Sequence, residues 1–252
     1  MNNVLYKLKN EAKELTTQYQ PHFYIEFASE LSYSRETFFN HPLILRCSED
    51  VLPFLNDDYG HGIEHSKKVA IEAGAVVLGE FSHENLRHCR HLVLLVQLAG
   101  LLHDICRMEP DHAYQGSYFA LRILQDFPIS DKDKEIISFA IRNHEAFKSY
   151  QVAPDHSTGL VSNALYDADK FRWGPDNFVT TLWEICDYQE WTLEKILEKF
   201  PHGIQVIHSI SNTFRTSIGQ IYGPEFIEIG LEIGNYLYRR INQLYQQQSS
   251  IQ

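Results

Sequence analysis

An all-α fold, an irregular multi-helix bundle, follows from three observations on the sequence. Apolar residues recur at three- and four-residue intervals through almost every segment longer than about ten residues. Alternating strand-like runs are scarce, and clusters of Gly, Pro, Asp and Ser separate the periodic segments. With 252 residues, 44% of them hydrophobic, the chain can bury one sizeable core with terminal additions. The expected division is a helical extension over 1–55, a core over 56–175 and C-terminal helices over 176–252 packed on that core.

The periodicity predicts helices near 3–19, 23–39, 61–80, 84–105, 113–127, 131–147, 159–171, 175–187, 191–199, 203–219 and 223–247. The first, within MNNVLYKLKNEAKEL, is amphipathic and charged, without the apolar h-region of an export signal. In the segment from His61, Val69 and Ala73 continue a stripe that begins at His65. Leu92 to Leu102 is apolar on nearly every face, so it reads as a central buried helix. Asp111 is positioned to cap the helix carrying Tyr114, Phe119 and Leu121, and Pro128 stops it. Ser130 is positioned to cap the helix carrying Ile136, Ile137 and Ala140. Tyr150 to Gly159 is a loop by composition, and Leu160, Val161, Ala164 and Leu165 then form another apolar stripe. Trp173-Gly174-Pro175-Asp176 separates that helix from an aromatic-rich C-terminal region.

The net charge of −11 argues against nonspecific binding to nucleic acid or an anionic membrane, both of which need a basic surface. No run reaches the roughly 20 apolar residues of a membrane span. The four cysteines are widely spaced, without CxxC, so neither a disulfide framework nor a thiolate zinc site is expected. These features predict a cytoplasmic protein acting on a small molecule.

The residues that carry chemistry are histidines and aspartates set in apolar segments, where ionisable groups are costly unless something binds them. His61 and His65, four residues apart, share one helix face. The stripe makes His65 the inward member and the expected ligand, with His61 a pocket residue. The buried helix ending at Leu102 runs straight into His103-Asp104. Adjacent side chains diverge by about 100° on a regular helix, so the pair can share an ion only at a helix end. Of Asp167 and Asp169, the second continues the stripe from Val161 and Leu165 and is the inward candidate. Asp167 is left to orient a histidine or cap a helix. Neutral imidazoles and carboxylates together suit a divalent ion such as Mn, Fe, Co, Ni or Zn.

The ordered set His65, His103-Asp104 and Asp169, in EHSKKVA, LAGLLHDICR and ALYDADK, resembles the HD-domain superfamily of metal-dependent phosphohydrolases. The resemblance spans roughly residues 56–175 and departs at Lys68, where Arg is common, and at Cys106, where Gly is common. It implies an HD-type helical bundle in which His65, His103, Asp104 and Asp169 hold a divalent metal ion, Mg included. His112 and His144 stand where binuclear relatives carry further ligands, with Asp104 bridging, giving one or two ions per chain.

The expected activity is hydrolysis of a small phosphate ester or nucleotide, with Asp104 and Arg107 in catalytic roles. Arg107 is the first choice for gripping phosphate, and His61, Lys68 and Lys170 are further candidates on the substrate side. Two other classes share the same residues: a di-iron oxygenase cleaving a C–C or C–P bond, and a non-catalytic nucleotide sensor. The C-terminal aromatics suit a pocket wall or a homodimer face.

Overall fold

The computed structural model describes residues 3–54, 62–81 and 85–249. Among these residues it has twelve α-helices and no strand, so the all-α expectation holds. They are α1 (Asn3–Thr16), α2 (His22–Glu26), α3 (Ala28–Asn40), α4 (Pro42–Val51), α5 (Ile63–Glu80) and α6 (Leu86–Leu102). Then follow α7 (His112–Ile123), α8 (Asp131–Arg142), α9 (His156–Phe171), α10 (Leu182–Tyr188), α11 (Leu193–Ile210) and α12 (Ser217–Ser249). A π turn over Asn177–Thr181 precedes α10. No helix of the described residues is long and apolar enough to cross a membrane.

The bundle is built around α5 and α6, with α9 packed against both. Every residue of α6 from Leu92 to Leu102 is buried, as is α5 from Val69 to Val77, so these two helices present apolar groups all round. Gly100 lets them approach closely: a Cβ there would stand 2.7 Å from the Ala70 backbone. Helices α3 and α8 cover further faces of this pair, α7 lies on α8, and α11 packs on α12. The first helix reaches across the chain to α12, where the Glu11 carboxylate accepts from Arg240 at 3.0 Å.

Local signals account for several boundaries. Ser130 caps α8 through a reciprocal capping box with Asp133. Asp155 accepts from the Thr158 N–H and so starts α9 at His156, three residues before the expected position. Asp111 does not cap α7 with its side chain; it is left-handed, with φ of 53°.

Other boundaries differ because tertiary contacts decide them. Helix α4 was not expected, although Ile44, Cys47 and Val51 form its buried face. The break expected between 199 and 203 is absent: α11 runs through Pro201, which removes only one backbone hydrogen bond. The real interruption lies between Ile210 and Ser217. There the buried Asp167 carboxylate accepts from the backbone N–H groups of Arg215 and Thr216 and from the Thr216 hydroxyl, at 2.7–2.8 Å. The Thr216 hydroxyl in turn accepts from the Gly219 N–H at 2.8 Å, so a carboxylate from α9 organises the start of α12. Gly219 must be small here, since a Cβ would lie 2.1 Å from the Asp167 carboxylate. Helix α12 then continues past Gly223-Pro224, where a boundary was expected, held by buried Ile227, Ile233, Leu237 and Ile241.

Candidate metal centre

Six predicted side chains converge at helix ends. His65 lies in the first turn of α5, His103 and Asp104 directly follow α6, and His112 opens α7. His144 follows α8, and Asp169 lies in the last turn of α9. His103, Asp104, His144 and Asp169 are buried. Helix α6 ends at Leu102 with His103 still in the right-handed helical region, and the chain goes on in tight turns, the Ile105 N–H donating to the Leu102 carbonyl at 3.3 Å, so His103 and Asp104 stand together at a helix end.

Two imidazoles have their tautomer set by the backbone. His103 Nδ1 donates to the Gly100 carbonyl at 2.8 Å, and His144 Nδ1 donates to the Ile141 carbonyl at 2.6 Å. A carbonyl carries no proton, so Nδ1 carries it and each neutral ring presents a lone pair at Nε2. Those lone pairs point at oxygen. His103 Nε2 is 3.4 Å from Asp104 Oδ2 and 3.7 Å from Asp169 Oδ1. His65 Nε2 completes this group at 3.2 Å from His103 Nε2, 3.3 Å from Asp169 Oδ1 and 3.8 Å from Asp104 Oδ2.

The other carboxylate oxygen faces a second group. Asp104 Oδ1 lies 3.5 Å from His144 Nε2 and 3.6 Å from His112 Nε2, and the two imidazole nitrogens are 3.3 Å apart. Asp104 therefore connects two clusters, one oxygen to each.

Lone pairs and carboxylate oxygens crowded together repel unless a cation or a proton stands between them. Burial opposes a charged His103, yet Asp104 and Asp169 outweigh it and raise its pKa, so the cage favours positive charge. His112 goes the other way: burial, then His144, push it down to about 4, which keeps its ring neutral. Burial works against the Asp169 carboxylate, but Lys170, His103 and His65 hold it well below the usual range. The separations of 3.2–3.8 Å are the edge lengths of a polyhedron of N and O donors. Donors about 2.0–2.2 Å from a central ion sit about 3.3–3.6 Å apart in a tetrahedron. The buried His/Asp cluster is thus a site that could bind a metal ion.

Beside the cluster opens a cavity of about 920 Å³ whose wall includes His65, Asp169, Lys68 and Arg107. Arg107 Nη1 donates to His112 Nε2 at 3.1 Å and lies 3.7 Å from Asp104 Oδ1, at the mouth of the second cluster. Lys68 extends over the cavity with its ammonium 3.3 Å from Asp176. Lys170 is placed differently from the other cations. It is buried, ion-paired with Asp169 and set over the rings of Tyr166 and Trp173, outside the cavity wall. His61 lies outside the described residues. His156, at the start of α9, is exposed and away from the cluster.

The cavity wall also holds residues that local pattern did not mark. Buried Arg172 donates to Glu72 and to Asp176, each at 2.7 Å, and to the Tyr24 hydroxyl at 3.0 Å. Asp176 in turn holds Lys68, so a buried guanidinium positions a cation of the rim. A signal was present: Glu72 is a lone acid in the apolar run from Val69 to Val77, and such a residue needs a buried partner. The π turn supplies Asn177, Thr180 and Thr181 to the same wall. Compared with known protein families, with curated proteins and with solved structures, the chain gives no match.

Proposed function

We propose that this chain is an HD-type metal-dependent phosphohydrolase acting on a small phosphate ester. The observation that carries the reading is Asp104, whose two oxygens face different sets of imidazoles, beside a cavity that His65 and Asp169 of the same cluster line together with Lys68 and Arg107. His65, His103, Asp104 and Asp169 would hold one ion, and Asp104, His112 and His144 a second. A divalent ion bound there supplies Lewis acidity and lowers the pKa of a bound water.

The side chains have distinct tasks. The Gly100 and Ile141 carbonyls hold His103 and His144 in the tautomer that offers Nε2. Lys170 offsets the charge of Asp169 from behind. Arg107, with a planar fork of N–H donors, is suited to grip two phosphoryl oxygens, and Lys68 supplies a second positive charge on the rim. Placed at the rim of a concave site, both attract an anionic substrate despite the chain's net charge of −11.

A second reading has one observation in its favour. Four imidazoles and two carboxylates, without thiolate, serve iron as well as they serve manganese, so a di-iron oxygenase uses the same residues. Elemental analysis of protein purified without added metal or chelator separates the two. Two irons per chain and no phosphatase turnover favour the oxygenase. Hydrolysis of phosphomonoesters supported by Mn, Co or Mg favours the hydrolase, and absence of both metal and turnover overturns both.

A further inference from the structure

The large cavity does not end at the polar wall. Against it lies an annex of about 180 Å³, and Asn177, Thr181, Ile185, Gly203 and Ile207 line both spaces. Beyond that shared rim the annex is walled mainly by Phe178, Leu182, Trp191, Phe200 and Ile204, with the exposed Lys199 its charged member. The chemistry therefore changes along one path, from the His/Asp cluster with Lys68 and Arg107, through Asn177 and Thr181, to aromatic and aliphatic groups.

Two features mark the annex as a built chamber rather than a gap in the core. Gly203 is exposed, and a Cβ there would meet nothing within 4 Å, so the junction is open at that residue. The shared rim includes the π turn, whose Phe178 carbonyl accepts from Trp183 Nε1 at 2.6 Å. π turns are commonly found at functional sites. The volume sets the occupant: an apolar cavity of about 150 Å³ takes one benzene ring, and the annex is slightly larger at about 180 Å³.

We infer that the annex is a subsite for a single apolar ring at the end of the substrate remote from phosphorus. This deepens the hydrolase reading and rests on it. The implied substrate class is a phosphomonoester with a polar middle portion and a terminal aryl or ring-sized branched alkyl group. A nucleobase is disfavoured, because Asn177, Thr181 and Lys199 are the polar side chains of the wall and the remaining donors and acceptors of a base would face Phe178, Leu182, Phe200 and Ile204.

The test uses the full chain loaded with Mn(II) and titrated calorimetrically with methylphosphonate and a series of ω-phenylalkyl phosphonates of increasing chain length. The expected result is a step of at least about tenfold in affinity at one chain length, the yield of burying one ring. Gly203→Phe, which closes the junction, and Ile204→Trp, which fills the annex from its wall, should each abolish the step. Gly203→Ala should retain it. A flat series, an even rise with chain length, or a step that survives both blocking variants would overturn the subsite. Turnover of the matching phosphates is read in parallel. A step without turnover discards the hydrolase and leaves the ring site standing, whereas turnover without a step does the reverse.

Discussion

Replacing Asp104 by Asn is the most informative single change, because the two clusters share that side chain. The substitution keeps the shape of the carboxylate but removes its charge. It also sets an amide nitrogen, which is no metal ligand, against either the His112/His144 pair or the His65/His103 pair. In the native chain Oδ1 lies 3.5 Å from His144 Nε2 and Oδ2 lies 3.4 Å from His103 Nε2, so either orientation of the amide damages a cluster. At a metal concentration 100 times the native Kd, the ion stabilises the fold by about 2.7 kcal/mol, and a 100-fold weaker site retains only about 0.4 kcal/mol. The difference of about 2.3 kcal/mol corresponds to about 5–9 °C in Tm for a chain of this size. Calorimetry with and without Mn(II), joined to elemental analysis, reads both quantities. An Asp104→Asn protein that binds as many ions as the native chain, with the same metal-induced shift in Tm, would refute the shared-carboxylate arrangement.

Three further outcomes are expected. Arg107→Ala should leave metal stoichiometry unchanged while raising KM or lowering kcat at least tenfold for phosphomonoesters; unchanged kinetics would remove Arg107 from the phosphate clamp. Asp167→Asn should cost about 1–3 kcal/mol in chemical denaturation, since the buried carboxylate accepts three hydrogen bonds at the start of α12; native stability in that variant would contradict the capping role. Asp133→Asn should cost about 1 kcal/mol near pH 6. Burial raises the Asp133 pKa, but the contacts with His91 and Ser130 outweigh it and leave the folded value below the usual one. Its contribution is therefore present above the unfolded pKa of about 3.9 and lost as pH falls through the lower folded value, so the two denaturation curves should converge as the pH is taken below the unfolded pKa.

His65, His103, Asp104 and Asp169 were legible in sequence because they are ionisable groups carried by apolar helices, and burial of such groups points to a common partner, whereas His112 and His144 were marked only by the family resemblance. Helix ends were legible where the deciding contact is local, as at Ser130 with Asp133. They were illegible where it is distant. The start of α12 is fixed by Asp167, 48 residues before Arg215, and no local window around Pro201 or Gly223 contains that information. The network of Arg172, Glu72 and Tyr24 was missed for the same reason, its members lying 100 and 148 residues apart. Lys170 was expected to face substrate because its sequence neighbour does; one residue along a helix turns the side chain by about 100°, and it lies behind Asp169 instead.

The spacing of Asp167 and Asp169 has a consequence for how variants of this protein should be interpreted. Two residues apart on α9, they serve opposite sides of one helical turn: one grips the backbone before α12, the other faces the His/Asp cluster. The backbone before α12 and the cluster are thus tied to the same turn of α9, with no loop between the two contacts. Substitutions on the buried face of the C-terminal helix are therefore expected to disturb the position of Asp169, and with it metal affinity, although that helix supplies no residue to the cavity wall.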